Sequence, residues 1–110
     1  MQTSVKTANE VKVLAFEGSL DTQTSPGVQA QLTQLIEEGD KKILVNLEKL
    51  HYISSAGLRI LLAAAKQLKT ADGELRICDL NEVVKEVFDI SGFSTIFNIF
   101  ESESEALEGF

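Results

Sequence analysis

Short apolar runs rich in β-branched residues alternate along this chain with segments whose apolar residues recur at helical spacing, and this alternation constrains the fold more than any other feature. Val11-Lys12-Val13-Leu14-Ala15-Phe16, Lys42 to Leu47, Glu74 to Cys78 and Thr95 to Phe100 read as strands. Between them, Val28, Leu32, Leu35 and Ile36 mark one helix face. Leu58, Leu61, Leu62, Ala65 and Leu68 mark a second, and Val83, Val84, Val87 and Phe88 a third. Strand, covering helix and next strand make a parallel crossover, so the pattern predicts an α/β domain. With 110 residues, 44% of them hydrophobic, the chain supplies one core and therefore one domain, 1–110.

Punctuation residues set the expected boundaries. Gln2 to Lys6 is polar apart from Val5, and Ala8-Asn9-Glu10 is a turn, which suggests a hairpin whose first strand is an edge. Gly18 is expected to end the second strand. In the turn-rich stretch Ser19 to Gly27, Ser25 is the expected helix cap with Pro26 at the first helical position, and Gly39 stops that helix. Lys42 to Leu47 lacks clean alternation, as a central strand covered on both faces does. Ala63-Ala64-Ala65 lets the second helix pack closely before Thr70-Ala71-Asp72-Gly73 ends it. Asp79 to Glu82 resembles a capping box with Asp79 at the cap, Ser91-Gly92 closes the third helix, and Ser102 to Glu105 opens a short terminal one.

Charge and cysteine usage exclude several functions. Seventeen acidic against ten basic residues give a net charge of −7, which argues against a nucleic-acid partner. No apolar run approaches the roughly 20 residues of a membrane-spanning helix, and Met1 to Lys6 lacks a signal-peptide core, so no membrane insertion and a cytoplasmic location are expected. Cys78, the single cysteine, sits in an apolar run as a small buried hydrophobe, and His51 is the single histidine. Neither has neighbours at metal-ligand spacing, so no metal and no cofactor is assigned.

The chemistry gathers in Leu47 to Leu62, where an apolar run meets a helix start through Ser54-Ser55-Ala56-Gly57. One reading of the two serines is plain capping, with Gly57 present for close packing. The other is a switch. A phosphoserine brings about −1.5 to −2 charges, which a helix N-terminus tolerates while a docked partner does not. Catalysis fits poorly: Ser55-Ala56-Gly57 is half of a nucleophile elbow, but Ile53 stands where its first glycine belongs and His51 lies on the same connection.

Leu47 to Leu58 resembles the signature of the STAS domains of bacterial anti-sigma factor antagonists, an apolar strand and a short polar turn leading into Ile-Asp-Ser-Ser/Thr-Gly-Leu. Gly18-Ser19-Leu20-Asp21 is similar to that family's Gly-Glu-Leu-Asp, and Val87-Phe88-Asp89-Ile90-Ser91-Gly92-Phe93 to its Leu-Phe-x-x-x-Gly-Leu, so matching motifs in the same order span nearly the whole chain. The resemblance implies a single STAS-like domain, a mixed, mostly parallel sheet of about four to five strands with about four helices. By position it implies that Ser55 is the phosphorylated serine, with Ser54 the alternative, and that Asp21, Ser54, Ser55, Gly57 and Leu58 lie at the partner-binding face. Ser54 stands where the family has Asp, and Ala56 where it has a second hydroxyl.

The function implied by that resemblance is partner switching without catalysis. The unphosphorylated domain would bind an anti-sigma factor that is also a serine-protein kinase, phosphorylation would break the complex, and a serine phosphatase would reset it. The alternative is a STAS module that is never phosphorylated, a scaffold or ligand-binding subunit of a transporter or signalling assembly.

Overall fold

In the computed structural model, which describes residues 1–110, β1 (Gln2–Ala8) and β2 (Val11–Leu20) form an antiparallel hairpin. Its two-residue turn, Asn9-Glu10, has positive φ at both positions (51° and 70°), the primed geometry that matches strand twist. β2 then organises the rest. Its first half pairs in parallel with β3 (Lys42–Asn46), and its last residues pair in parallel with β4 (Leu50–Ile53). β3 pairs with β5 (Glu74–Cys78), and β5 with β6 (Asn98–Phe100), giving the order β1-β2-β3-β5-β6 with β4 attached to β2.

The helices divide unequally between the two faces. α1 (Ser25–Glu37), α2 (Ser55–Thr70) and α3 (Glu82–Ser91) pack on one face, where Leu14, Phe16, Ile43, Val45, Ile77, Leu32, Leu61 and Phe88 form the main core. The other face holds a small cluster, Val11, Val13, Leu44 and Cys78, covered by Ala106 of the short α4 (Glu103–Leu107) and flanked by Phe100, Leu107 and Phe110. β3 is thus covered on both sides, as its unbroken apolar run implies. Arg76 holds the chain end in place: it pairs with Glu74, lies over the rings of Phe100 and Phe110, and donates to the carbonyls of Ala106, Glu108 and Gly109. Burial pushes the Cys78 thiol well above its ordinary value, which keeps it neutral.

The architecture is the expected α/β domain with four helices, and its mixed sheet has six strands against the expected four to five. The additional strand is β4, which the sequence does not announce: only Leu50 and Ile53 of its four residues are buried, so no alternation marks it. Several boundaries move. Gly18 does not end β2: its φ of +113° accommodates a register shift, after which the strand runs to Leu20 and exchanges β3 for β4 as its neighbour. The cap of α1 is Thr24, with Ser25 already helical. Asn81, not Asp79, caps α3, its side-chain oxygen accepting from the Val84 N–H at 2.9 Å, while Asp79 takes a positive φ of 60°. β6 begins at Asn98 because Phe93–Thr95 is a 3-10 turn that drives Phe97 against Phe88, ring centroids 5.6 Å apart. Ser102 does cap α4, accepting from the Glu105 N–H.

Candidate functional site

β2 and β4 end side by side, Leu20 in register with Ile53, and the Ser54 N–H donates to the Leu20 carbonyl at 2.9 Å as a final rung. Beyond that rung β4 passes straight into α2, and β2 reaches α1 through the loop Asp21 to Thr24. The loop from Asp21 and the start of α2 at Ser54-Ser55 therefore leave the same edge of the sheet as neighbours, although they are more than thirty positions apart in the chain.

At the start of α2 the two serines have different roles. Ser54 is the N-cap, in extended backbone geometry (φ −94°, ψ 173°). Its hydroxyl accepts from the Gly57 N–H at 3.3 Å, and its carbonyl accepts from the Leu58 N–H at 3.0 Å. Ser55 is the first helical residue; it is exposed, and its hydroxyl holds no partner within the fold. The first turn of α2 carries no acidic side chain, so the partial positive charge of that terminus is left uncompensated.

Gly57 and Leu58 fix where this helix start sits. Gly57 is buried, and a Cβ on it would lie 2.8 Å from Leu20 Cγ, 2.9 Å from Ile53 Cγ1 and 3.0 Å from the Leu20 carbonyl oxygen. Only glycine lets α2 approach the two strand ends so closely. Leu58 is 3% exposed and joins the main core, so its side chain anchors the helix from inside and offers a partner no surface.

Asp21 closes the neighbouring loop. Its Oδ1 accepts from the Gln23 and Thr24 N–H groups at 2.9 and 3.1 Å, while the Thr24 hydroxyl accepts from the Asp21 N–H and donates to the Ser19 carbonyl, both at 2.9 Å. This is a reciprocal cap in which Thr24 does what Glu or Gln does in a capping box. The Thr24 N–H, then that of Gln23, holds the Asp21 carboxyl below the usual carboxylate range. In the sequence only the Asp-x-x-Thr spacing of Asp21 and Thr24 signals this role of Thr24.

The assembled chemistry is a free hydroxyl on a helix N-terminus beside a closed, anionic loop. His51 is exposed on β4, and no group of three or more His, Cys, Asp or Glu side chains is placed to hold a metal ion. No helix is long and apolar enough to cross a membrane.

Comparison with known proteins identifies the architecture. The model of the STAS domain matches residues 2–106. BtrV of Bordetella bronchiseptica, named as a candidate anti-sigma factor antagonist, is 34% identical over 110 residues, covering 100% of this chain and 95% of BtrV. Among solved structures, a candidate anti-sigma factor antagonist of Thermotoga maritima superposes with a TM-score of 0.92 at 21% identity, over 96% of this chain and 92% of that one. The Bacillus cell fate determinant SpoIIAA in its phosphorylated form superposes with a TM-score of 0.75 at 22% identity, over 97% of each chain. At those identities the structural matches speak for the fold, whereas the family model and BtrV speak for kinship. This chain belongs to the STAS domain family, among relatives named as anti-sigma factor antagonists.

Proposed function

We propose that this protein is an anti-sigma factor antagonist that works by partner switching, with Ser55 as its phosphorylation site. The observation that carries the proposal is the division of labour at α2: Ser54 satisfies the cap, which leaves the Ser55 hydroxyl exposed and unengaged at an uncompensated helix N-terminus. A kinase can reach that oxygen without breaking a hydrogen bond of the fold. The phosphate then gains about −1.5 to −2 charges at a terminus that favours them, so the domain keeps its structure.

The unphosphorylated face binds an anti-sigma factor that is also a serine-protein kinase, and Asp21 and Ser54 flank Ser55 on that face. Gly57 and Leu58 act beneath it, by holding α2 against Leu20 and Ile53. Placing a doubly charged group in the middle of a docked interface costs the complex several kcal/mol, on the order of a hot-spot residue, so one modification suffices for release. A serine phosphatase restores the binding form. The chain itself carries out no catalytic step. The kinship with BtrV, named as a candidate anti-sigma factor antagonist, supports the antagonist part of this reading.

The test is mass spectrometry after incubation with an anti-sigma factor serine kinase and ATP, paired with partner binding by Ser55→Ala and Ser55→Asp. Phosphate on Ser55, none on Ser55→Ala, and at least about tenfold weaker binding by Ser55→Asp are expected. Phosphate on Ser54 alone would move the switch by one residue. Phosphate on neither would return the scaffold or ligand-binding reading.

A further inference from the structure

The two edges of the sheet are protected unequally. β6 is three residues long, and short strands make poor templates for further pairing. β1 is seven residues long, has no proline and no bulge, and keeps an uninterrupted register with β2 from Gln2 to Ala8. Every β1 residue except Ala8 is exposed. Its one charge, Lys6, is turned to the α4 side, where its ammonium pairs with Glu103 at 2.8 Å.

The hairpin geometry fixes which backbone groups are free. A two-residue turn makes Ala8 and Val11 a hydrogen-bonded pair, and such pairs alternate along an antiparallel ladder. Gln2, Ser4, Lys6 and Ala8 therefore bond to β2, while the N–H and C=O groups of Thr3, Val5 and Thr7 point away from the sheet.

We infer that β1 pairs edge to edge with β1 of a second copy of this chain, antiparallel about a two-fold axis at Val5. In that register Val5 faces Val5 of the second copy, Thr3 faces its Thr7, and Lys6 faces its Ser4. Every outward N–H and C=O between Thr3 and Thr7 finds a partner, and no like charges face each other. A shift that centred the axis on Lys6 would set two ammonium groups opposite and leave Thr3 without a partner, and one centred on Ser4 would set Thr7 opposite Met1 outside the strand, so the Val5 register pairs the most outward groups. The side chains of Thr3, Val5 and Thr7, opposite Phe16, Leu14 and Lys12, extend the β-branched surface of the helix-covered face across the axis. Val5, 44% exposed in one copy, gains an apolar neighbour there.

The contact is small and each copy carries −7, so association is weak and strengthens as salt screens that repulsion. β4 and Ser55 lie across β2 from β1, so pairing leaves the α2 start open. The edge pairing is independent of the switch at Ser55.

Analytical ultracentrifugation from about ten micromolar to about one millimolar, the range suited to an interface of small area, reads the association. The mass is expected to rise from 12.0 kDa toward twice that value. Hydrogen exchange at the Thr3, Val5 and Thr7 amides should slow about tenfold or more at high concentration, with Ser4 and Lys6 protected throughout. Val5→Pro removes an outward donor and no bond to β2, and Val5→Lys keeps the donor but sets two charges on the axis; both are expected to stay monomeric while folded. A wild-type mass constant across the range, or equal dimerisation by both variants, overturns the inference. So does a monomeric wild type whose binding to another protein is lost in Val5→Pro, because the edge would then belong to a partner's strand.

Discussion

The starts of α1 and α2 are built from the same materials and end in opposite states. Both follow buried strand ends that lie in register, Leu20 and Ile53, and both open on small hydroxyl residues. At α1 the two hydroxyls that adjoin the first turn, Thr24 and Ser25, are both occupied. Asp21 and Thr24 cap one another, and the Ser25 hydroxyl donates to the Asp21 carbonyl with the residue only 4% exposed. At α2 one serine supplies the cap and the next has nothing to do. Hydroxyls near a helix N-terminus are thus not equivalent: those that satisfy the backbone belong to stability, and one left over is available to chemistry.

Four perturbations test that contrast. Gly57→Val should have the largest effect, because the new side chain must displace Leu20, Ile53 and a carbonyl; overpacking of this kind destabilises by about 1–3 kcal/mol, visible as a lowered denaturation midpoint. Unchanged stability would mean that α2 can move off the strand ends without penalty. Ser54→Ala removes the cap and should destabilise by about 0.5–1 kcal/mol, at the lower end because the bond is long, while phosphate still reaches Ser55. Loss of phosphorylation with an intact fold would reassign the acceptor.

The third concerns acid. Because hydrogen bonds depress the folded-state value of Asp21, its contribution is present above the unfolded carboxylate value of about 3.9 and is lost as pH falls through the lower folded value. Asp21→Asn should flatten that part of the acid limb in a plot of stability against pH, and an unaltered limb would show that the closed loop does not depend on the charge. Smallest of all, Ser55→Ala should leave stability within about 0.5 kcal/mol of wild type, since its hydroxyl holds nothing. A larger loss would place Ser55 among the structural hydroxyls and erase the contrast.

Much of this was legible in the residues. The spacing of Leu58, Leu61, Leu62, Ala65 and Leu68 marks α2 to within a residue or two, and the β-branched runs mark β2, β3 and β5. β4 escaped because a four-residue strand buried only at its ends has no period, and it exists because β2 is long enough to hold a second neighbour after the shift at Gly18. The caps at Thr24 and Asn81 lay within two residues of the expected ones; each was displaced by a turn involving a carboxylate or a positive φ that local composition does not reveal. The family motif places Leu58 at the binding face with its neighbours, whereas helical geometry turns its side chain into the core.

The alternation of strands and helices, the acidic surface and the chemical type of the switch segment are set locally, since each depends on residues near one another in the chain. Which of two adjacent serines caps and which is free was decided only in three dimensions. The last rung between Ser54 and Leu20 fixes where β4 stops, and the contact of Gly57 with Leu20 and Ile53 fixes where α2 starts. Both are long-range contacts, made only once β2 and β4 have paired, and no local spacing encodes them.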